Sequence, residues 1–271
     1  MPRVDPTARL ADGARLADDV EVGPYCIVGP QAELRSGVRL LSHVNIAGVT
    51  VVGERSIAYP FVSLGTAPQS TAYRGEPTTL TIGADCQFRE GVTVSAGTVK
   101  GGGKTIVGDR CFMMVNSHIG HDCVVGSDVT FANNAVLGGH VTVGDHVFLG
   151  GQTAVHQHVR IGEGAMVGGV SGIAGDIIPY GFCLGQRAVL VGLNVVGLQR
   201  RGHSRQDIHR IRDAYRLLFL EPGLFADRLK AAGAEFAGDP SVGKILDFIH
   251  ARGSRPLMMA ASEQADSDDT P

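Results

Sequence analysis

Tryptophan is absent from this 271-residue chain and aromatic residues make up only 6% of it, so a core built on large rings is excluded and one of aliphatic layers and small turns is expected. The five cysteines, Cys26, Cys86, Cys111, Cys123 and Cys183, are odd in number and form no CxxC pair. Neither a disulfide framework nor a zinc ribbon is indicated, and they read as small buried residues. Charge of one sign is also lacking: 24 Lys and Arg against 27 Asp and Glu leave a formal charge of -3. No basic run is interleaved with aromatics, so a nucleic-acid partner is not expected. No apolar run has the length of a membrane span or signal peptide, which makes the cytoplasm the expected compartment.

What the chain has in excess is glycine, 38 residues, about twice the usual share. There is no Gly-X-Y period, so collagen is excluded. Instead an aliphatic residue followed by glycine recurs at six-residue spacing or its multiples, as at Ile119-Gly120, Val125-Gly126, Leu137-Gly138, Val143-Gly144, Leu149-Gly150, Ile161-Gly162 and Val167-Gly168. Three such hexads make one triangular coil, and at eighteen-residue spacing Ile119, Leu137, Val155 and Ile173 form a column. The expected fold is all-β: a left-handed parallel β-helix, a hexapeptide-repeat solenoid, with a C-terminal α-helical extension. An antiparallel sandwich would need period-two alternation and hairpin dipeptides such as Asn-Gly, and neither is seen.

The solenoid is expected to occupy residues 1–190, with insertions at 66–79 and 97–105 projecting as loops and offering walls for a binding site. The second, GTVKGGGKT, does not satisfy the phosphate-binding GxxxxGK[ST] pattern. A helical domain follows over 191–253. Ser204 and Asp207 resemble a capping box, opening a helix that runs to Leu220 before Glu221-Pro222-Gly223, and further helices are expected over 223–232 and 241–251. The polar tail, 254–271, reads as disordered.

Six of the ten histidines, His118, His121, His140, His146, His156 and His158, fall within a few coils. The eighteen-residue column puts Asp122, His140 and His158 at equivalent corners of successive coils, about 4.8 Å apart. Clustered histidine serves metal binding or acid–base catalysis. No compact ligand motif is present, so no metal is assigned and no cofactor is implied; polar corner residues remain the plain alternative.

The segments NSHIGHDC (116–123), FANNAVLGGHVTVGD, GGQTAVHQHVRIG, VGGVSG and GLNVVGLQRRGHSRQDI, with YCIVGP and the RGEPT and GTVKGGG loops, resemble the UDP-N-acetylglucosamine acyltransferases, the first enzymes of lipid A synthesis. The likeness covers nearly the whole chain. It implies transfer of a 3-hydroxyacyl chain from acyl-carrier protein to the sugar 3-hydroxyl, with His121 as general base, Asp122 orienting it and the Gly139 N–H as oxyanion donor. By the same resemblance His118, His140, His156 and Gln157 line the acceptor pocket, Asn194, Arg200 and Arg201 lie on the nucleotide side, and Gly169 and Arg187 bound the acyl chain. It implies a homotrimer with sites between subunits. The arginines Arg200, Arg201, Arg205, Arg210, Arg212 and Arg216 offer a basic patch to an acidic carrier protein.

Departures from the family pattern cluster on the acceptor side: Ser70 stands for an aspartate, Ala72 for a lysine, Ser95 for a histidine, Arg187 for a histidine and Val196 for a glutamate. They keep open an acyltransferase of the same family acting on another sugar nucleotide, by O- or N-acylation. A zinc hydratase of the carbonic anhydrase type and a solenoid without catalysis are the readings from other classes.

Overall fold

The computed structural model describes residues 1–260. Most of its strands are two residues long, because a corner interrupts the chain every six residues. Successive side chains in a strand point to opposite sides, so each coil sends one apolar residue inward per face; Ile119, Val125, Phe131, Leu137, Val143 and Leu149 are all exposed by 2% or less. The strands stack into three sheets of eleven, nine and eight strands, the faces of a prism, parallel throughout except for the last strand of the first. Chain order visits the eleven-stranded face, then the nine-stranded, then the eight-stranded; in each coil the corner after the nine-stranded face is the second corner and that after the eight-stranded face the third.

Turning these corners demands a left-handed backbone at one residue per hexad. From residue 116 to 164 the positions with φ between 54° and 67° come at every sixth residue: Asn116, Asp122, Asp128, Asn134, His140, His146, Gln152, His158 and Gly164. Asn, Asp and His tolerate this region better than most residues, so the polar corner residues have a backbone reason to be where they are.

Both insertions interrupt the chain at the second corner, between strands Ser63–Thr66 and Thr79–Ile82 and between Thr93–Ser95 and Lys104–Val107. The strand that closes the solenoid, Val189–Leu193, pairs antiparallel with Gly181–Leu184, so the sheet continues slightly past the expected boundary at 190. Four α-helices follow among the described residues. The first, α1 (Val195–Arg200), was not anticipated, being too short to show periodicity; the Asn194 side chain caps it by accepting from the Gly197 N–H at 2.9 Å. Helix α2 (Arg205–Phe219) starts at the Ser204–Asp207 capping box. Helix α3 (Phe225–Glu235) runs three residues beyond the expected end, since Gly233 lacks a neighbouring breaker, and α4 (Pro240–His250) begins at Asp239. Ile208, Ile211, Leu218, Val242 and Ile245 form the core between these helices.

The tail expected to be disordered from residue 254 is ordered in its first part. Asp176 bridges to Leu257 and Leu190 to Ala260, and Met258 and Ala260 are each 4% exposed. Apolar burial and paired backbone groups outweigh the chain entropy there, which the polar composition further along had masked. The rest of that expectation, 261–271, lies outside the described residues.

Candidate functional site

At the second corner Asp122 takes φ 61°. In an extended strand the side chains of adjacent residues would diverge, but this turn lets those of His121 and Asp122 meet. His121 Nδ1 lies 2.7 Å from Asp122 Oδ2, with the imidazole 19% exposed and the carboxylate fully enclosed. A carboxylate only accepts, so Nδ1 carries the proton and Nε2 keeps its lone pair.

The 97–105 loop closes over this carboxylate. Thr98 donates its N–H to Asp122 Oδ1 at 2.7 Å and its hydroxyl to Oδ2 at 2.6 Å, while the Asp122 N–H donates to Thr105 Oγ1 at 2.9 Å. The loop can pass so near only because residue 101 is glycine: a Cβ there would lie 2.1 Å from Asp122 Cγ. Sequence reading marked this loop as a wall but did not find Thr98; the broken repeat was visible, its partner was not.

One coil on, Gly139 lies flat against the imidazole. A Cβ on it would stand 2.6 Å from His121 Cε1 and 2.9 Å from Nε2. Its N–H meets no acceptor among the described residues, unlike the equivalent amide of Ser127 at the third corner, which donates to Asp145 at 2.7 Å. His140 follows in the same column, edge-on to His121 with ring centroids 5.0 Å apart, and stacks on His158 at 4.4 Å. His118 projects outward from the adjoining strand, its Nδ1 2.7 Å from Thr93 Oγ1. Burial holds His118 and His140 below the ordinary imidazole range, in His140 against the opposing pull of Asp122. His121, Asp122 and His140 place ligand atoms within 4.8 Å of one another, but Thr98 and His121 already satisfy the carboxylate without a cation.

Other expected residues lie elsewhere. His146 sits at the third corner with Nδ1 3.7 Å from Asp128, apart from the cluster. Asn194 and Arg201 also lie toward the third corner: Asn194 Nδ2 donates to Gly164 O at 2.9 Å, and Arg201 packs so close that a Cβ on Gly164 would be 2.4 Å from its guanidinium. Arg201 Nε and Nη2 are buried without a partner among the described residues, and burial pulls its pKa down. Arg200 is exposed nearby. His156 and Gln157 are exposed at the second corner, Gly169 at the first. Among the arginines of the expected basic patch, Arg210 is bound to Asp239 at 2.6 Å, whereas Arg200, Arg205, Arg212 and Arg216 face solvent.

On the outer side of the nine-stranded face, register aligns Thr93, His118, Val136, Ala154 and Gly172. Side-chain size falls along this line from His118 to Gly172. The line ends in a cavity of about 760 Å³ between Ala154, Gly172, Arg187, Leu257 and Met259. Cys123, beside Asp122 in sequence, points inward; its thiol donates to Gly138 O at 3.1 Å and burial pushes it up to about 12. It is no nucleophile for this corner.

A prism of stacked hexapeptide coils with an oriented imidazole at one corner defines a hexapeptide-repeat transferase, and residues 104–139 match the bacterial transferase hexapeptide repeat. Residues 176–258 match the family described as UDP-N-acetylglucosamine O-acyltransferase, domain 2. The acyl-[acyl-carrier-protein]--UDP-N-acetylglucosamine O-acyltransferase of Azorhizobium caulinodans is 57% identical over 254 residues, 94% of each chain; that of Rhizobium johnstonii is 46% identical, again over 94% of each. The crystal structure of UDP-N-acetylglucosamine O-acyltransferase from Moraxella catarrhalis superposes with a TM-score of 0.90 at 38% identity, covering 94% of this chain and 99% of that one. The chain belongs to the UDP-N-acetylglucosamine O-acyltransferase family, and its coil is the left-handed parallel β-helix. No helix among the described residues is long and apolar enough to cross a membrane.

Proposed function

We propose that this enzyme transfers an acyl chain, 3-hydroxylated as in the family, from acyl-carrier protein to the 3-hydroxyl of UDP-N-acetylglucosamine. The observation that carries the reading is the Nδ1–Asp122 bond, which leaves His121 Nε2 as a free base beside the unpaired Gly139 N–H. His121 Nε2 takes the hydroxyl proton as the oxygen attacks the thioester carbonyl carbon. The carbonyl oxygen becomes an oxyanion held by Gly139 N–H. Collapse breaks the C–S bond, and the imidazolium returns its proton to the departing thiolate, leaving ester and free carrier thiol. No covalent enzyme intermediate is needed, and no cofactor enters.

His118, His140, His156 and Gln157 line the acceptor side in this reading. The apolar line past Val136 and Ala154 to the cavity at Arg187 receives the acyl chain, with Gly169 leaving room at the first corner. Asn194, Arg200 and Arg201 serve the nucleotide, yet in one chain they stand at a different corner from His121. A site that uses both needs two copies, which supports a homotrimer with sites between subunits; the unpartnered Arg201 guanidinium is a ready acceptor-side donor at such a junction. Exposed Arg200, Arg205, Arg212 and Arg216 would meet the acidic carrier.

The test is a mass-spectrometric transfer assay with UDP-N-acetylglucosamine and a series of 3-hydroxyacyl and plain acyl carrier proteins, on wild type and His121→Ala. Product with wild type alone supports the reaction and the base together. A folded, inactive wild type would mean that the departures at Ser70, Ala72, Ser95, Arg187 and Val196 have moved the enzyme to another acceptor.

A further inference from the structure

His156 and Gln157 are gripped by a segment whose Leu257 and Met259 border the acyl cavity but whose polar side chains have no part in the transfer as proposed. Residues 253–260 run back across the end of the prism as a strap, and Asp176 sets its course. The Asp176 N–H donates to Pro256 O at 2.7 Å and the Met258 N–H donates to Asp176 O at 2.8 Å. The Asp176 carboxylate meanwhile accepts from the Arg160 N–H at 2.8 Å and Arg160 Nε at 2.7 Å. The strap begins hard against this pair, since a Cβ at Gly253 would lie 2.6 Å from both Arg160 Nε and Asp176 Oδ2 and would have to push them aside. Held in this way, the strap delivers Arg255 to the second corner. Its Nε donates to Gln157 O at 2.9 Å, and its Nη2 donates to His156 Nδ1.

A guanidinium has donors only, so His156 Nδ1 presents its lone pair to Arg255 and the ring proton sits on Nε2. One side chain therefore fixes both the tautomer of His156 and the backbone of its neighbour. We propose that Arg255 is a positioning residue for acceptor binding, holding His156 as an Nε2–H donor for the sugar nucleotide. The inference rests on the reading of His156 and Gln157 as acceptor contacts.

The test uses the full chain as wild type, R255A, R255K, H156A and the R255A/H156A double variant. Calorimetry gives the Kd for UDP-N-acetylglucosamine, steady-state transfer gives kcat and both KM values, and thermal melting reports the fold. R255A is expected to raise the acceptor Kd and KM about tenfold, the scale of one charge-assisted hydrogen bond, with kcat and donor KM within about twofold. R255K, which keeps the charge and donors on a single nitrogen but not the planar fork, should recover part of the loss. The double variant should bind no worse than H156A alone, because Arg255 acts through that ring. Unchanged acceptor binding in R255A overturns the proposal, as does additivity with H156A or a uniform loss of kcat that tracks the melting temperature. If H156A itself binds like wild type, the acceptor-pocket reading fails and takes the proposal with it.

Discussion

Replacing Asp122 by Asn separates the tautomer of His121 from every other feature of the site. The carboxylate accepts three bonds, from the Thr98 N–H at 2.7 Å on Oδ1 and from the Thr98 hydroxyl at 2.6 Å and His121 Nδ1 at 2.7 Å on Oδ2. An amide of the same shape keeps an oxygen toward the Thr98 N–H and turns its two N–H donors toward Thr98 Oγ1 and His121 Nδ1. The hydroxyl rotates to accept, turning its own proton away from the amide. His121 Nδ1, however, must now accept, and its proton moves to Nε2. The base is lost while the imidazole stays in place. Since a positioned general base contributes on the order of 10² to 10⁴ in rate, kcat for acyl transfer should fall by about that factor. Losing the charge-assisted bonds should cost about 1–2 kcal/mol of stability, a small drop in melting temperature. Single-turnover transfer followed by mass spectrometry, beside a thermal melt, checks both numbers. A kcat within about threefold of wild type on an intact fold would refute the assignment of Asp122 as the group that sets the tautomer.

Gly139→Ala should lower kcat by about 10²-fold, on the order expected for disturbing an oxyanion donor, because its Cβ would lie 2.6 Å from His121 Cε1; steady-state transfer beside a thermal melt that shows the protein still folded is the check. Ala154→Leu, which fills the floor of the cavity by Arg187, should reduce kcat/KM for long acyl donors more than for short ones, and an unchanged length profile would remove that cavity from the acyl path. The imidazoles of His118 and His140 lie below their unfolded value because of burial, so the unfolded chain takes up protons first as pH falls. Their contribution to stability is therefore complete above about pH 6.5 and is lost as pH drops from there through the folded values; melting temperatures should decline in that window, and less steeply in His140→Asn. Light scattering should give a mass near three times 28.4 kDa, and a monomer active at assay concentration would sink the shared-site reading.

The architecture was legible because its cause is local. An aliphatic residue then glycine every six positions is what a three-sided coil needs, and columns such as Ile119, Leu137, Val155 and Ile173 are each at most 4% exposed. The capped start of α2 was readable for the same reason. What was not readable is whatever depends on contacts between distant residues. Thr98 looks like any loop threonine until the chain passes over Asp122, and Arg255 belongs to a tail whose composition suggests disorder. The histidine cluster mixed two causes: His140, His146 and His158 occupy left-handed corner positions that favour such residues anyway, so His146 entered the cluster on spacing alone and proved to stand at another corner. The placement of Asn194 and Arg201 away from His121 follows from the third corner to which α1 is tied, which no spacing in the sequence reveals.

In the proposed reading, the same geometry sets a closely packed base apart from a more open acceptor side. His121, Asp122, Thr98 and Gly139 are bound to one another through buried contacts in which the space is already taken, as the close approaches at Gly101 and Gly139 show. A change in one of them is felt by all. Ala72, Arg187 and Val196 are exposed in the single chain, and Ser70 and Ala72 lie on an insertion that projects from the second corner, so substitutions there alter what a ligand meets without disturbing a coil. Ser95 is the exception, 2% exposed at a strand end, where a histidine would need room that a serine does not. The proposal thus assigns chemistry and acceptor choice to separable parts of the chain. Ala72→Lys together with Val196→Glu should therefore move KM for UDP-N-acetylglucosamine while leaving kcat within about twofold; a larger change in kcat would show that the two parts are coupled after all.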